Sequence, residues 1–542
     1  MKKYILIVLI LSSLEVFAQN NYYLITLKDK NNNGYSISNP SAFLSGRAIN
    51  RRAKQGISIT AQDLPLTPSY LTQIKGAGAS IWLKSKWLNA VVIQCNTTTL
   101  NKVKALSCVA NSSAITRLEN TDLSDNLNAI KSVNEVSEMD AISINGYSNQ
   151  QLSMTENDKM HSFGFTGKGL HIAVIDAGYL NADKNPSLDS LRKKNNILGT
   201  IDFVNKNHAA VYKENDHGAN CLTILAANSP YKLKGAAPDA SYWLIRTENE
   251  LLESRLEEIN WTCAAEFADS AGVDIISSSL GYYDFDNTAL SYTYAQMNGK
   301  TTYISRAATY AQKKGIVVVC SAGNEAQLPW KYISSPADAD SILAIGAVDS
   351  LGNRGAFSSF GPTSDNRIKP DVCTRGVKTW YADPNLSTLG KPNSGNGTSY
   401  SCPLIAGWVA CFWQAFPNLT ANQIVAIVKK SGSIANKPNN NIGYGIPNYT
   451  RASLLANAVL TGFDNVNEIK SGIYPNPTQG KLHIVHPNFS NLSSIEIINS
   501  QGEIYQQVIN NELDLDGFTN GMYLLKLLFN NGACQFERFI KN

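Results

Sequence analysis

The chain has 542 residues and carries 47 basic and 43 acidic side chains, which gives a formal net charge of +4. A chain of this length exceeds one compact domain and predicts three or four independently folded parts. The nearly balanced charge gives no electrostatic reason to expect nucleic acid, a membrane surface or a polyacidic substrate as a partner. The function must therefore be sought in a local site.

The first residues have the pattern of a secretory signal peptide, which we assign to residues 1–18. Lys2 and Lys3 precede an apolar run over residues 4–11, and a small residue, Ala18, ends the segment as at a cleavage site. A membrane anchor is the alternative, but the run is well short of the roughly 20 residues that a spanning helix needs. No later segment is long and apolar enough either, so we expect an exported protein with no stable membrane span.

Residues 19–147 have the pattern of a small α+β module followed by a linker. Strand-like runs at 22–27 and 90–93 lie on either side of a basic helical stretch at 47–52. The polar span over residues 120–151 has no hydrophobic periodicity, as expected of a linker. We place a domain boundary near residue 147.

Residues 148–462 predict an α/β domain. Short apolar runs, for example 171–175, 273–276 and 316–319, alternate with longer Ala-rich helical stretches. Continuous apolar strands of this kind fit a mostly parallel sheet with helices on both faces. Active sites in such folds lie at the carboxyl ends of the strands.

Residues 468–542 predict a small C-terminal β-sandwich domain with no obvious chemistry of its own. Alternating apolar and polar residues recur over 481–484, 495–498 and 522–525, and Asn530-Asn531-Gly532 is a tight-turn signal.

Nine cysteines are scattered along the chain without CxxC pairs or zinc-ligand spacing, so a structural metal site is not expected. The odd total leaves at least one thiol unpaired, and buried free cysteine is the favoured interpretation for several. The pairing of the remainder stays open. The cysteines are Cys95, Cys108, Cys221, Cys263, Cys320, Cys373, Cys402, Cys411 and Cys534.

A catalytic base can be sought by elimination among the histidines of the α/β part, which are His161, His171, His208 and His217. His161 lies in a connecting segment, His171 is at the start of a buried strand, and His208 lies in a polar loop. His217 differs because the segment Asp216-His217-Gly218 directly precedes an apolar helical stretch. The sequence therefore places this imidazole at a helix N-terminus, where a neighbouring glycine leaves room for substrate.

Three further positions have chemistry that would complete a serine hydrolase. Asp176 ends the strand at 172–175 and can orient an imidazole, although a turn-capping aspartate is the simpler alternative. Ser399 precedes the apolar helix at 404–416, where free backbone N–H groups can bind an oxyanion, although it could also be an N-cap. Asn324 follows the strand at 317–319 and can donate to that oxyanion, although Gly-Asn is also a common turn. Ser401 lies further into the helix and is a poorer nucleophile candidate.

Taken together, these motifs resemble those of the subtilisin-like proteases, peptidase family S8. The resemblance is carried by residues 167–178 around Asp176, by Asp216-His217-Gly218, and by Gly397-Thr398-Ser399 with Pro403. The chain order Asp, His, Ser is that of subtilisins and differs from that of chymotrypsin and of α/β-hydrolases. Additional landmarks are at residues 278–281, 335–337, 357–362 and 369–371, and the resemblance covers roughly residues 150–460.

The resemblance implies a role for each of these residues. Ser399 would attack the scissile carbonyl, His217 would take and return the proton, Asp176 would orient His217, and Asn324 would stabilise the oxyanion. The segment Ser279-Leu280-Gly281 would bind the substrate backbone. No cofactor is required for this chemistry; the resemblance allows a structural calcium ion, for which the sequence nominates no ligands.

Three features bear on how the proposed protease would work. Sedolisins, the acid-active relatives, have Glu and Asp where this chain has His217 and Asn324, so the resemblance implies operation at neutral to alkaline pH. Tyr400-Ser401 stands where the family more often has Met-Ala, and Cys402 stands at a position that is commonly threonine. The segment 282–302 is longer than usual and borders the expected cleft, which leaves substrate preference open.

The flanking parts resemble export and processing modules. Residues 85–91 are similar to the pro-regions of subtilases from Bacteroidetes-type bacteria, which implies that residues 19–147 are a propeptide; a permanent accessory domain is the alternative. The start at residues 474–477 and the ending at residues 521–541 are similar to type IX secretion sorting domains, for which a carbohydrate- or protein-binding module is the alternative. The expected partners are protein or peptide substrates, the chain's own propeptide and the type IX secretion machinery. We expect the protein to be secreted or held at the cell surface after passage through the periplasm.

Two rival functions remain at this point. A pseudoenzyme would keep the subtilase scaffold as a secreted binding protein, but it would not need chemically competent residues at all four catalytic positions. An esterase would carry a G-x-S-x-G turn, whereas the segment around Ser399 reads Gly-Thr-Ser-Tyr-Ser.

Overall fold

The structure is a computed structural model that describes residues 21–115, 143–249, 252–461, 472–486, 489–530 and 534–542. The predicted signal peptide and most of the predicted linker lie outside the described residues. Residues 21–115 form an antiparallel sheet in the order β2-β3-β1-β4 with three helices, which agrees with the predicted α+β module. Its elements are β1 Asn21–Leu27, α1 Gly46–Lys54, α2 Pro68–Gly76, β2 Ser80–Ser85, β3 Ala90–Cys95, α3 Thr97–Lys104 and β4 Val109–Ala114.

The central domain is built on a seven-stranded sheet in the order β13-β12-β11-β10-β5-β9-β6, and its strand pairs run parallel. This confirms the predicted α/β fold. The elements are α4 Asn149–Ser153, α5 Asn157–Ser162, β5 His171–Asp176, α6 Asp189–Lys193, β6 Ile197–Asp202, α7 His217–Ala226, β7 Asn228–Ser229, β8 Leu233–Lys234, β9 Ser241–Arg246, α8 Arg255–Ala271, β10 Ile275–Ser278, α9 Tyr303–Lys313, β11 Val317–Ser321, β12 Leu343–Val348, β13 Val372–Arg375, β14 Thr379–Ala382, β15 Pro392–Gly395, α10 Thr398–Ala415, α11 Ala421–Lys430 and α12 Tyr449–Thr461.

The sheet is covered on both faces, as the continuous apolar strands require. Successive side chains of a strand point to opposite faces. In β5, Ile172 and Val174 accordingly belong to one core, which includes side chains of α7, α10 and α11. Ala173 and Ile175 belong to the other core, formed with α8 and α9.

Neighbouring strands of this sheet end at the same edge and deliver the predicted site residues there. Asp176 is the last residue of β5, Ser279 follows the end of the adjacent β10, and Asn324 follows the end of β11. Helices α7 and α10 begin at His217 and Thr398. Their N-termini lie at the same edge, because His217 is hydrogen-bonded to Asp176 and the Ser279 hydroxyl donates to the carbonyl oxygen of Ser399. The candidate site therefore lies at the carboxyl end of the parallel sheet.

The N-terminal module packs against helix α8 of the central domain. Glu266 of α8 accepts hydrogen bonds from the Ser85 hydroxyl (2.6 Å) and from the backbone N–H groups of Lys86 (2.9 Å) and Trp87 (3.0 Å). The Trp87 side chain is buried in the core beneath α8. The contact is thus both polar and apolar.

A buried ion-pair network joins the same two parts. Asp269 of α8 accepts from Arg51 and Arg52, each at 2.6 Å, and Asp63 of the N-terminal module pairs with Arg52 and with Lys314 of the central domain. Each of these side chains is at most 6 % exposed. Buried charges are tolerated only when paired and hydrogen-bonded in this way.

The C-terminal part consists of two antiparallel sheets, β16-β17-β20 and β19-β18-β21-β22, around one apolar core. This confirms the predicted small β domain; the turn residues Asn531 and Gly532 lie outside the described residues. The strands are β16 Gly472–Tyr474, β17 Lys481–Val485, β18 Leu492–Ile498, β19 Ile504–Gln507, β20 Glu512–Asp514, β21 Gly521–Phe529 and β22 Cys534–Lys541.

All nine cysteines lie among the described residues, and none of them forms a disulfide. Eight are buried, and Cys534 is half-buried. The prediction of buried free thiols is confirmed for these positions.

Candidate active site

Asp176 and His217 form a hydrogen-bonded pair at the sheet edge. Asp176 is fully buried, and its Oδ1 lies 2.7 Å from Nδ1 of His217 and also accepts the backbone N–H of Ala177 at 2.8 Å. Because a carboxylate oxygen accepts hydrogen bonds, this contact assigns the donated proton to Nδ1 and leaves Nε2 with a lone pair. That is the tautomer a general base needs.

The close approach of the two residues depends on Gly218. A Cβ atom at this position would lie 2.3 Å from the carbonyl oxygen of Gly178 and 2.8 Å from Cβ of Asp176. Any other residue would push the start of α7 away from the end of β5. The glycine of the Asp216-His217-Gly218 motif therefore has a packing role here.

The environment of His217 favours its protonated form. Burial opposes the positive charge, but the charge of Asp176 and the hydrogen bond to it outweigh burial and raise the pKa of His217 to about 9. The side chain is 31 % exposed, so the ring remains open to the cleft. An imidazole with this pKa acts as a base most effectively under alkaline conditions.

Ser399 is the second residue of α10, and its backbone is held in place by two side chains. Its carbonyl oxygen accepts hydrogen bonds from the hydroxyl of Ser279 (2.9 Å) and from the thiol of Cys221 (3.4 Å). Its own hydroxyl donates to the carbonyl oxygen of Ser279 at 3.3 Å. A rotation of the Ser399 side chain must therefore precede proton transfer to His217, and catalytic hydrogen bonds commonly tighten in this way when substrate binds.

Asn324 is oriented by the residue that precedes Ser399. Its Oδ1 accepts the backbone N–H of Thr398 at 2.9 Å and the hydroxyl of Thr398 at 3.0 Å. Because both contacts fix the amide oxygen, they also fix the position of the Nδ2 amino group.

Two potential oxyanion donors converge beside Gly397. The position that a Cβ atom of Gly397 would occupy is 3.7 Å from the backbone nitrogen of Ser399 and 3.9 Å from Nδ2 of Asn324. The position left free by the missing side chain is thus within van der Waals contact of two potential N–H donors. Paired donors of this kind stabilise the negative oxygen of a tetrahedral intermediate.

The segment Ser279-Leu280-Gly281, for which substrate binding was predicted, continues from β10 past the end of the sheet. Ser279 contacts Ser399 as described, Leu280 is buried, and Gly281 is exposed. A Cβ atom on Gly281 would lie 2.3 Å from Oγ of Ser334. Binding of a substrate backbone along this segment remains a prediction.

The other histidines of the central domain have different surroundings. Burial lowers the pKa of His161 to about 4, and Nε2 of this residue lies 3.0 Å from the carbonyl oxygen of Ala236. Burial also lowers the pKa of His171. His208 accepts the backbone N–H of Asp202 at 3.0 Å. His217 is the histidine of this group that contacts Asp176, in agreement with the elimination from the sequence.

Sequence reasoning missed the parts played by Thr398 and Cys221. Thr398 is part of the Gly-Thr-Ser motif, but its contact with Asn324 spans 74 positions of the chain. Cys221 lies one helical turn after His217, which was the available signal that the two side chains share a face of α7. Tyr400, noted as a departure from the family pattern, lies with its ring 6.2 Å from the His217 ring at an interplanar angle of 23°.

One cluster among the described residues could hold a metal ion by the type and spacing of its side chains, and it consists of Asp176, His217 and Cys221. Its sulfur and nitrogen atoms do not suit calcium, which takes oxygen ligands. The cluster therefore gives no ligand set for the structural calcium ion that the family resemblance allows.

Comparison with known families gives a separate match for each of three parts of the chain. The profile of the subtilase family matches residues 167–445, which is more than half of the chain. The profile of the peptidase S8 propeptide domain of Bacteroidota matches residues 22–132, and that of the secretion system C-terminal sorting domain matches residues 472–542. The expected resemblance of both flanking parts is confirmed, and the sorting domain marks the chain for secretion.

Individual relatives match about half of the chain. Serine protease AprX of Bacillus subtilis (strain 168) is 29 % identical over 49 % of this chain and 61 % of its own length. Subtilisin DY of Bacillus licheniformis is 28 % identical over 50 % of this chain and 87 % of its own length. The chain thus spans less than two thirds of AprX.

A solved structure, MycP1 with the N-terminal propeptide removed, is 22 % identical over 56 % of this chain and 96 % of its own, with a TM-score of 0.43.

In the part of the chain that the structure describes, we find no helix with both the length and the apolar character needed to cross a membrane.

The family profile extends from the strand that ends at Asp176 through the helix that begins beside Ser399, and its span contains His217 and Asn324 as well. The chain belongs to the subtilase family.

Proposed function

We propose that this chain is an exported serine endopeptidase that hydrolyses peptide bonds through an acyl-enzyme. The observation that carries the proposal is the hydrogen bond between buried Asp176 and His217, placed beside a serine at a helix N-terminus. Asn324, held by Thr398, supports the same conclusion because it supplies a second oxyanion donor. Every role in the proposed chemistry is filled by a side chain or backbone group of the chain.

The proposed reaction begins with Ser399. Its hydroxyl turns from the carbonyl oxygen of Ser279 towards His217 and attacks the scissile carbonyl carbon, while Nε2 of His217 takes the proton. The carbonyl oxygen becomes negatively charged between Nδ2 of Asn324 and the backbone N–H of Ser399. Asp176 stabilises the imidazolium that forms but stays ionised itself.

The intermediate then collapses and the peptide bond breaks. His217 gives its proton to the departing amine, and an acyl ester remains on Ser399. A water molecule next gives a proton to His217 and attacks the ester. His217 returns that proton to Oγ of Ser399 as the acid product leaves, which regenerates the serine hydroxyl. No net proton is lost from the site during the cycle.

We infer that residues 19–147 act as the chain's own propeptide and that the type IX secretion machinery exports the protein. The buried contacts of Glu266 and Asp269 with the N-terminal module support the first inference, because these non-covalent contacts would keep the module on the central domain after the chain between them is cut. The sorting-domain match over residues 472–542 supports the second. Protein or peptide substrates follow from the proposed activity.

The first experiment is labelling of the purified, processed protein with a fluorophosphonate probe, with the adduct mapped by mass spectrometry and casein cleavage measured in parallel. The proposal expects an adduct on Ser399 together with casein cleavage. The Ser399→Ala variant is the control and should give neither. A folded, propeptide-free sample that forms no adduct would instead support the pseudoenzyme.

A further inference from the structure

The largely apolar strand β9 ends in a buried arginine, Arg246, whose side chain is 6 % exposed. Arg246 is paired across the sheet with Asp176 of β5 on one side and with Asp202 of β6 on the other, and its Nη1 lies 3.5 Å from Oδ2 of Asp202. Neighbouring strands lie about 4.8 Å apart, so the arginine stands beside the strand that carries the Asp176 carboxylate. A buried charge is costly unless the groups around it bind it, and the groups that bind Arg246 therefore indicate its task.

The side chain of Arg246 binds the two segments that carry Asp176 and His217. Its Nε donates a hydrogen bond to the carbonyl oxygen of Ala177, the residue after Asp176, at 2.9 Å. Its Nη2 lies 3.2 Å from a carboxylate oxygen of Glu214, in the segment that leads into helix α7. One guanidinium thus links the turn after the carboxylate to the segment before the imidazole.

These two segments are packed so closely that a movement of one displaces the other. A Cβ atom on Gly178 would lie 2.5 Å from the backbone nitrogen of Asn215, and the carbonyl oxygen of Asn215 accepts the backbone N–H of Leu180 at 3.1 Å. The side-chain oxygen of Asn215 in turn accepts the backbone N–H of His217 at 2.7 Å. The position of this segment relative to the turn therefore sets where the imidazole meets its carboxylate.

We propose that Arg246 is a positioning residue, which holds the turn after Asp176 and the segment before His217 at the separation that their hydrogen bond requires. The inference rests on the proposed function, because the positioned pair is the one that would activate the nucleophile. A guanidinium suits this role since its donors lie in one rigid plane and can fix two partners at once. A lysine ammonium would supply the same charge from one point on a flexible stem. Arg246 acts through Ala177 and Glu214 and not on the reacting atoms.

Steady-state kinetics on a peptide substrate tests this role. Arg246→Met removes the guanidinium but keeps most of the stem. We expect kcat to fall by about 10² with little change in KM, since a displacement of about 1 Å that originates far from the chemistry costs that much. A folded Arg246→Met variant with the kcat of the parent would overturn the proposal.

Two milder variants keep the proposal testable if Arg246→Met does not fold. Glu214→Gln removes one charge of a pair whose carboxylate side chain is 29 % exposed, and kcat should fall about two- to five-fold, as expected of a partly exposed ion pair. Arg246→Lys should lose more than this but less than Arg246→Met, because it keeps the charge but also releases Ala177. Parental kcat in both of these variants would count equally against the role.

Proton NMR of the full chain carrying Ser399→Ala reports the hydrogen bond between Asp176 and His217 without any turnover. At pH 7 the ring is protonated, because its pKa is raised to about 9, and the Nδ1 proton should resonate at low field as a result of its 2.7 Å contact with the carboxylate. We expect this resonance to move to higher field or to vanish by exchange in Arg246→Met, and to be partly preserved in Arg246→Lys. An unchanged resonance in folded Arg246→Met, or no such resonance in the parent, would overturn the positioning role.

Arg192→Gln is the matched control for both measurements. Arg192 also donates to backbone carbonyl oxygens, those of Ala182 and Asn185, each at 2.8 Å, but neither lies in the two segments that Arg246 joins. Its resonance and its kcat should be those of the parent. If the resonance depends on Arg246 while the parent with Ser399 intact shows no hydrolysis, the proposed function is refuted and the positioning role stands.

Discussion

The amide oxygen of Asn324 accepts two hydrogen bonds from Thr398, the residue immediately before Ser399. This contact ties the oxyanion donor to the nucleophile, so that the two groups move together. We expect Asn324→Ala to lower kcat by about 10²–10³, the loss known for such a donor in a subtilisin, with little change in KM. Steady-state kinetics on a fluorogenic peptide measures both. A loss confined to KM would assign Asn324 to ground-state binding instead.

Thr398→Val tests the tether separately from the donor. The variant removes the hydroxyl contacts with Asn324 and with the backbone N–H of Gly323, but it keeps the backbone contact with Asn324 and the side-chain shape. Since one neutral hydrogen bond contributes about 1 kcal/mol, kcat should fall about five-fold. The Asn324→Ala, Thr398→Val double variant should lose less than the product of the two single losses, because the Thr398 hydroxyl reaches the oxyanion donor through the Asn324 amide. Additive losses would show an independent role for Thr398.

Ser399→Ala should abolish peptide hydrolysis and any self-processing of the N-terminal module. Loss of the nucleophile of a serine protease lowers kcat by about 10⁶. The size of the full-length chain, followed by gel electrophoresis after purification, reports processing, and casein cleavage reports turnover. Persistent turnover in this variant would refute the nucleophile assignment.

The pH dependence of activity should follow the protonation of His217. The ring must be neutral to accept a proton, and Asp176 raises its pKa to about 9 in opposition to burial. Activity should therefore be low in acid and rise through the alkaline range. The midpoint of this rise should lie at or below the His217 pKa of about 9. A profile of kcat/KM between pH 5 and 10 measures the limb.

Asp176→Asn is the matched variant for this profile. It removes the negative charge that raises the pKa of His217 most, so burial is opposed only by the more weakly acting charges of Glu248 and Asp216, and the pKa falls. The acidic limb should move to lower pH, while kcat drops by about 10⁴ because the ring loses its orienting carboxylate. A variant with a lower kcat but an unchanged acidic limb of the pH profile would show that Asp176 does not set the pKa of His217.

Asp269→Asn should loosen the N-terminal module. Asp269 is buried and neutralises two arginines of helix α1, Arg51 and Arg52. Removal of one partner of a buried ion pair costs about 3–5 kcal/mol because a buried charge is left unpaired. In a Ser399→Ala full chain, an added protease should digest residues 21–115 faster than in the parent.

Asp340→Asn is the control for this experiment. Asp340 pairs with Arg367 at 3.9 Å, and its side chain is 73 % exposed. Surface pairs contribute about 0–1 kcal/mol, so digestion of the module should be nearly unchanged. Equal digestion of the parent and of both variants would show that the buried pair does not hold the module in place.

Local sequence patterns were sufficient to predict the framework of the candidate site. An apolar strand ending in Asp176 and apolar helices beginning beside His217 and Ser399 are recognisable within a few residues, because strands and helices have short periods. Their convergence followed from the rule that parallel strands end at a common edge. The family resemblance supplied the roles.

The supporting contacts could not be predicted in the same way. Ser85 and Glu266 are separated by 181 positions, and Cys221 and Ser399 by 178. Such pairs leave no periodic signal, since each residue alone is an ordinary serine, glutamate or cysteine. Their partners are set by the packing of whole elements, which a single sequence does not reveal.

The nine unpaired cysteines affect how the protein unfolds and inactivates after export. With no cross-links, the unfolded chain keeps its full conformational freedom, so packing alone must balance that entropy. The eight buried thiols are shielded only while the fold is intact. In an oxidising compartment, each global unfolding event would expose thiols that can then join at random. Heat inactivation of the exported protein would accordingly be a one-way process whose rate falls when a reductant is added.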